Sequence, residues 1–443
     1  MEKNNKLKIS LGKVALAVIS LGIFIITFLI SYKSDYNVHP DEYVHYYAVQ
    51  YYQTHSRPPK LDSENIINTY SVHGESRLTE LDIYYFLVGK YTNILNKISK
   101  NEIFNARSFN LILLAIILII VYSLYRNNSY LFLPFLLSSQ VWYIFAYINN
   151  DTWAIFLNLI FVYQLFFEKS MFNTLINMSK EEFKQNKLKS ILYLVTLGIL
   201  FFLLLIAKVN YLVATGINAI IYLIVNRQKI FNKEKILRIF FVLLIGILLF
   251  GVRMGIDFKI NGLDRVNNME NIRLLRANEQ FKAPYPQGVY NNTNFKLKDR
   301  GYPISKVITN DDFYKTTLNS FIGMYGYMDK NMPNIIYDLI FICYIVIILY
   351  LIYGTVKQHK NDIGEIAMAI LVTLGGIITL ALSIYRSYTY DYQPQGRYMF
   401  AIIPLLCTMM YYKKESKILK FLIFISAIIL IGCYIRYGLL KFL

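Results

Sequence analysis

Charge is what this chain has least of. Asp, Glu, Lys and Arg together make up 17% of its 443 residues against 56% hydrophobic residues, a balance that excludes a water-soluble globular protein of this length. Acid is the scarcer sign, since 28 acidic residues stand against 46 basic ones and leave a net charge of +18. That excess does not describe a nucleic-acid partner: Lys and Arg cluster in short stretches between apolar runs, which is a topology signal and not a basic face. Cysteine is almost absent. Cys343, Cys407 and Cys433 all lie inside apolar runs, so they read as small core groups, and no disulfide framework or redox compartment follows from them. No Gly-rich phosphate loop or dinucleotide fingerprint opens any helical pattern, which argues against direct use of a soluble nucleotide donor. No internal repeat is visible, which weakens a transporter built from inverted repeats.

What remains is apolar sequence in long runs. Stretches of about 17 to 22 residues recur from end to end, enough at roughly 1.5 Å per residue to cross a hydrocarbon core of about 30 Å. Barrel strands would be shorter and alternating, so the expectation is an all-α integral membrane protein. The first run, 14–30, follows a lysine-rich start and has no small-residue cleavage site behind it, so it reads as an uncleaved signal anchor. Further spans are expected near 108–125, 130–148, 152–167, 190–207, 210–226, 236–252, 334–353, 365–384, 398–412 and 418–437. That makes about eleven transmembrane helices.

A cytoplasmic N-terminus puts the basic segments around Arg126 and at 184–189, 227–235, 357–360 and 413–417 on the cytoplasmic side, as the positive-inside rule requires. The same counting leaves two long segments, 31–107 and 253–333, on the outer side, where polar loops of such length are uncommon unless functional. In the first of them 42–53 and 81–95 carry helical spacing and many tyrosines, which reads as interfacial helices with an aromatic belt. In the second, Pro284, Pro286 and Pro303 punctuate an Asn- and Tyr-rich stretch, and Arg273 and Arg276 read as solvated surface arginines.

The outer side also gathers the chemistry. His39-Pro40-Asp41-Glu42-Tyr43-Val44-His45 follows the first span directly, with Pro at a helix start and two acids in the first turn. Acids there meet the positive end of the helix dipole, so a purely structural role is the plain reading of these residues alone. Asp41 and His45, four apart, share a helical face. Asn150-Asp151, Lys208 with Tyr211, and Gln395-Gly396-Arg397-Tyr398 reach the same side at other span ends. Charges at such boundaries are costly unless paired or wetted, so their convergence implies a cavity. Four of the five histidines fall in the first outer loop, but no metal-ligand spacing joins them, and no metal site is assigned. A divalent ion on Asp41 or Glu42 stays open as a cofactor.

On these residues the chain resembles a group of bacterial multi-span membrane proteins of unknown function related to the GT-C glycosyltransferase superfamily. His39 to His45, Asn150-Asp151, Lys208-x-x-Tyr211, the Gly-rich Phe321-Ile322-Gly323-Met324-Tyr325-Gly326-Tyr327-Met328-Asp329, and Gln395-Gly396-Arg397-Tyr398 with Pro404 match that group's motifs in order. The resemblance implies one GT-C-like membrane domain over 1–443, with 31–107 and 253–333 as insertions. It implies a polyprenyl-phosphate sugar as donor, a cell-envelope glycan or lipid as acceptor, and an acid in the first outer loop as the acting residue. Asp41 or Glu42 would be the catalytic base, and Arg397 and Lys208 would bind the donor phosphate. His39, His45, Asp151, Tyr211, Gln395 and Tyr398 would contact substrate. The expected activity is sugar transfer with inversion at the outer face of the cell membrane. The rival readings are a polymerase of glycan repeat units and a transporter or flippase of lipid-linked glycans.

Overall fold

Leu-, Ile- and Phe-rich stretches with no polar stripe form helices because only a helix satisfies its own backbone in lipid. The computed structural model describes residues 11–127, 129–278, 281, 296–358, 363–411 and 416–443. Pro284, Pro286, Lys360, Lys413 and the lysines before Leu11 lie outside them. Helix α1 (Leu11–Lys33) is followed by two helices of the first insertion, α2 (Glu42–Thr54) and α3 (Tyr84–Leu95). Then come α4 (Glu102–Arg126), α5 (Asp151–Phe166), α6 (Lys187–Ile206), α7 (Leu212–Val225) and α8 (Lys233–Asn261). The second insertion contributes α9 (Arg265–Arg276) and α10 (Asp311–Gly323), and α11 (Asn334–Gln358), α12 (Ile363–Thr389), α13 (Ile402–Tyr411) and α14 (Lys417–Cys433) complete the bundle. Among the described residues there is no strand beyond one isolated bridge, Tyr325 with Lys330.

Eight helices among the described residues have the length and apolarity to cross a bilayer, not eleven. Two of the remaining expected spans are the shorter apolar helices α7 and α13. The third, 130–148, is not a membrane helix at all. Pro134 falls in a 3-10 turn over Leu133–Leu137, and a six-residue helix, Ser139–Ile144, follows. This irregular leg is sealed inside protein: Leu131, Phe135, Leu136, Val141, Trp142, Tyr143 and Phe145 are fully buried. Irregular backbone at that depth needs partners from its surroundings. The Trp142 indole donates to the Phe135 carbonyl at 3.0 Å, Asn149 to Ile144 at 2.6 Å, and Asn110 of α4 to Tyr147 at 2.6 Å. The leg begins beside Tyr125, which lies against Gly12 of α1, and ends with Tyr147 stacked on His39 just past the other end of α1. It therefore covers the same thickness as α1, about 34 Å for its 23 residues.

The lipid-facing surface is clearest on α8, where Ile236, Leu237, Phe240, Ile247, Leu248 and Val252 are all exposed. The first insertion differs from an interfacial layer. Its helices α2 and α3 pack on each other, with Gly89 so close to Tyr52 that a Cβ there would lie 2.7 Å from the Tyr52 Cβ. Tyr46, Tyr52, Tyr84 and Tyr85 are core residues at 6% exposure or less, not an aromatic belt. Arg273 is not solvated either. It pairs with Glu270 and donates to the Tyr390 hydroxyl at 3.0 Å, and that hydroxyl donates to Glu75 at 2.7 Å, so both insertions and the loop after α12 are tied together. All three cysteines are free, two of them buried.

Candidate functional site

The two adjacent acids have opposite surroundings. Asp41 takes a left-handed backbone (φ 57°) at the N-cap of α2, a conformation Asp tolerates better than most residues. The turn sends the neighbouring side chains different ways. Glu42 is fully buried and held two-pronged by Arg107, Nε to Oε1 and Nη2 to Oε2, both at 2.7 Å. Arg107 spends its other donors on the carbonyls of Ser31, Ser34 and Asp35 and on the Ser34 hydroxyl, so it closes the C-terminus of α1 while Glu42 neutralises it. Asp41 remains 43% exposed at its side chain, 3.7 Å from Arg397.

His39 stands behind this turn and not beside it. It is fully buried, with Nδ1 2.7 Å from the Tyr143 hydroxyl and Nε2 2.8 Å from the Ser34 hydroxyl. The Ser34 hydroxyl donates to the Ile30 carbonyl at 2.6 Å and so accepts from Nε2–H, which leaves Nδ1 to accept from the Tyr143 hydroxyl, while the Tyr143 oxygen accepts from the Gly326 amide at 3.0 Å. Burial, then Arg107 and Lys330, hold the imidazole well below its usual range, so it is neutral. This strut joins the end of α1, the irregular leg and the Gly-rich segment. Gly326 (φ 63°) supplies the turn there.

Three further segments bring charge to the same end of the bundle. Asp151 opens α5 and pairs with Lys208 Nζ at 2.7 Å, while its Oδ1 has no partner within the protein. Tyr211, one turn beyond Lys208, is 1% exposed with its hydroxyl unpartnered and in the field of Asp151. Arg397 feels Asp41 and Asp151 together, and its Nε is likewise unpartnered. His45 donates to or accepts from the Tyr85 hydroxyl at 2.6 Å and is kept neutral by burial, with Arg77, Lys208 and Arg397 adding to the effect. Three buried polar atoms without a partner within the protein, on Asp151, Tyr211 and Arg397, thus accompany the charges at this end of the bundle.

Arg397 is aimed by its neighbours. The Gly396 amide donates to Ser320 Oγ at 2.7 Å, and a Cβ at Gly396 would lie 2.1 Å from the Phe321 amide nitrogen, so only glycine lets the loop pass α10 this closely. Gln395 contributes its carbonyl to the Tyr398 amide at 3.2 Å, and the Tyr398 hydroxyl donates to Gln393.

Several residues of the site were not singled out in the sequence. Arg107 reads there as a span boundary, yet it holds Glu42. Arg77 and Glu80 pair at 2.9 Å, and Glu80 also accepts from Asn150 at 2.7 Å. Asp82, 6% exposed, accepts from the Tyr84 amide at 3.0 Å and from Asn150 at 3.5 Å. Burial first and Glu80 second push its carboxyl up to about 7, against the pull of Tyr84, Asn150 and Lys208. Among the described residues no three His, Cys, Asp or Glu side chains gather as a metal site. Compared with known proteins, the chain matches no family model, no curated protein and no solved structure.

Proposed function

We propose that this chain is a GT-C-type membrane glycosyltransferase that moves a sugar from a polyprenyl phosphate to a hydroxyl of a cell-surface glycan or lipid, with inversion at the anomeric carbon. One observation carries the reading: an exposed carboxylate, Asp41, stands against Arg397 at 3.7 Å at the end of an apolar bundle where Asp151, Lys208 and Tyr211 also converge. Asp41 accepts the proton of the acceptor hydroxyl as the hydroxyl oxygen bonds to the anomeric carbon. The bond from that carbon to phosphate breaks, and polyprenyl phosphate leaves with the electron pair. The leaving group needs charge stabilisation and no proton, which Arg397 supplies through its planar fork and Lys208 as a point charge. Glu42 is the weaker candidate for the base because both its oxygens are engaged by Arg107. Of the two acids, Asp41 is the one exposed enough to hold a divalent ion, beside Arg397.

The basic segments at the Arg126 end support a cytoplasmic placement of that end, and hence an outer-face site in the cell membrane. Purified protein in nanodiscs, given polyprenyl-phosphate sugars and envelope glycan extracts, should release polyprenyl phosphate. Asp41→Asn should slow release by about 10² to 10⁴, the usual worth of a positioned general base. Release at the wild-type rate by both Asp41→Asn and Arg397→Ala would overturn the proposal.

A further inference from the structure

On the flank of α2 away from Lys208 lies an open cleft of about 680 Å³, between the middle of α2 and the first residues of α4. Its size falls within the range of about 300–1,000 Å³ typical of small-ligand sites. Three tyrosines, Tyr36, Tyr46 and Tyr47, line it with Gln50, Lys100 and Glu102. Tyr36 is 43% exposed and meets Tyr46 edge to face, centroids 5.7 Å apart and planes at 66°, so the two rings form a corner and not a flat wall. The Tyr46 hydroxyl donates to Glu102 at 3.1 Å, which fixes both the ring and the carboxylate.

The lining chemistry selects the ligand. The open faces of Tyr36 and Tyr47 suit the C–H faces of a pyranose ring, and Gln50, Glu102 and Lys100 offer, in turn, both functions, an acceptor and donors to ring hydroxyls. The side-chain charges of the lining are one Lys and one Glu. They sum to zero, so the lining carries no net charge, and it holds no arginine to fork onto a phosphate. We infer that this cleft is a subsite for an uncharged saccharide, and, resting on the transferase reading above, that the acceptor is a glycan chain and not a bare lipid.

Its position fits that use. Tyr36 lies within the fields of Glu42, Tyr47 and Tyr327, and Tyr327 in turn feels Asp41, so the cleft adjoins the turn that carries the acid. Gln50 is nine residues along α2 from Asp41, about 13 Å at 1.5 Å per residue. That is room for two or three sugar rings between the cleft and the carboxylate.

The test is binding without chemistry. Saturation-transfer NMR would be run on full-length protein in nanodiscs with maltotetraose, cellotetraose, mannotetraose and chitotetraose, with soluble dihexanoyl phosphatidylglycerol as the lipid competitor. At least one tetrasaccharide should show transfer that Tyr36→Ala and Gln50→Ala each weaken at least tenfold in affinity, while the lipid leaves it unchanged. Both variants replace exposed side chains, so the fold is retained. No binding by the panel, binding indifferent to both variants, or displacement by the lipid would each overturn the inference. Failure here with polyprenyl phosphate still released would sink the cleft alone. Tetrasaccharide binding with turnover indifferent to Asp41 and Arg397 would sink the transferase reading alone.

Discussion

Replacing Glu42 by glutamine keeps the side chain's shape and removes the charge that faces Arg107. The guanidinium is then left as an uncompensated cation at 1% exposure. Breaking a buried pair from one side costs about 3–5 kcal/mol, a large part of the roughly 5–15 kcal/mol that keeps a protein folded. At roughly 2 °C per kcal/mol for a large chain, the melting temperature in nanodiscs should fall by about 6–10 °C. Asp41→Asn is the control one residue away. Its side chain is 43% exposed and its cation is 3.7 Å distant, so its loss of stability should stay below about 1 kcal/mol. Turnover per folded molecule should invert the order, with Asp41→Asn losing about 10² to 10⁴ and Glu42→Gln less than about tenfold. Glu42→Gln together with Arg107→Gln should lose less stability than the two single changes added, by about 1–3 kcal/mol, because the pair acts as a unit. A Glu42→Gln protein that melts like wild type while its turnover falls as far as that of Asp41→Asn would refute the assignment of roles.

Gly396→Ala should displace Arg397, since the new methyl would meet the Phe321 backbone at 2.1 Å and backbone cannot give way as a flexible side chain does. A loss of about 1–3 kcal/mol with reduced turnover is expected by thermal melting and polyprenyl phosphate release. Gly216→Ala on open surface serves as the neutral control, and equal behaviour of the two would refute the packing account. For Asp82 the sign runs against the usual acid. Its folded value of about 7 lies above the ordinary 3.8, so between those values the folded chain binds a proton the unfolded chain lacks. Stability is therefore lost as pH rises from about 4 to 7, by up to about 4 kcal/mol at roughly 1.36 kcal/mol per unit. Wild type should melt lower at pH 8.5 than at pH 5, Asp82→Asn should flatten that difference, and parallel curves would refute it.

The membrane class was legible because it rests on composition and run length, which no packing detail can reverse. The irregular leg was not. A run from Tyr130 to Ile148 that is apolar but for Ser138, Ser139 and Gln140 reads as a span whether lipid or protein surrounds it, and hydropathy does not distinguish the two. Pro134 was the available signal, since a proline inside an otherwise helical pattern breaks or kinks it, and Ser138-Ser139 turns out to bond the Phe321 and Ile322 carbonyls of the Gly-rich segment. The tyrosines of α2 and α3 misled for a related reason. Tyr belongs equally to a headgroup belt and to a packed core whose hydroxyls find partners, as Tyr84 does with Asn110 at 2.9 Å.

At the site, which residue types converge was readable from span ends, while what each one faces was not. Asp41 and Glu42 are indistinguishable as letters. Their separation depends on a left-handed turn at Asp41 and on an arginine 65 positions along the chain from Glu42, and local spacing predicts neither. The histidines show the same limit, since the sequence placed His39 at the site as readily as His45, and only the Tyr143 and Ser34 contacts turn it into a strut. Asp82 makes the point most sharply. Three acids, Glu75, Glu80 and Asp82, lie within eight residues of one another, yet it is at Asp82 that burial, with the Glu80 charge adding to it, pushes the carboxyl up to about 7. A carboxyl's basicity is set by what covers it, and no motif in the sequence announced the burial of Asp82.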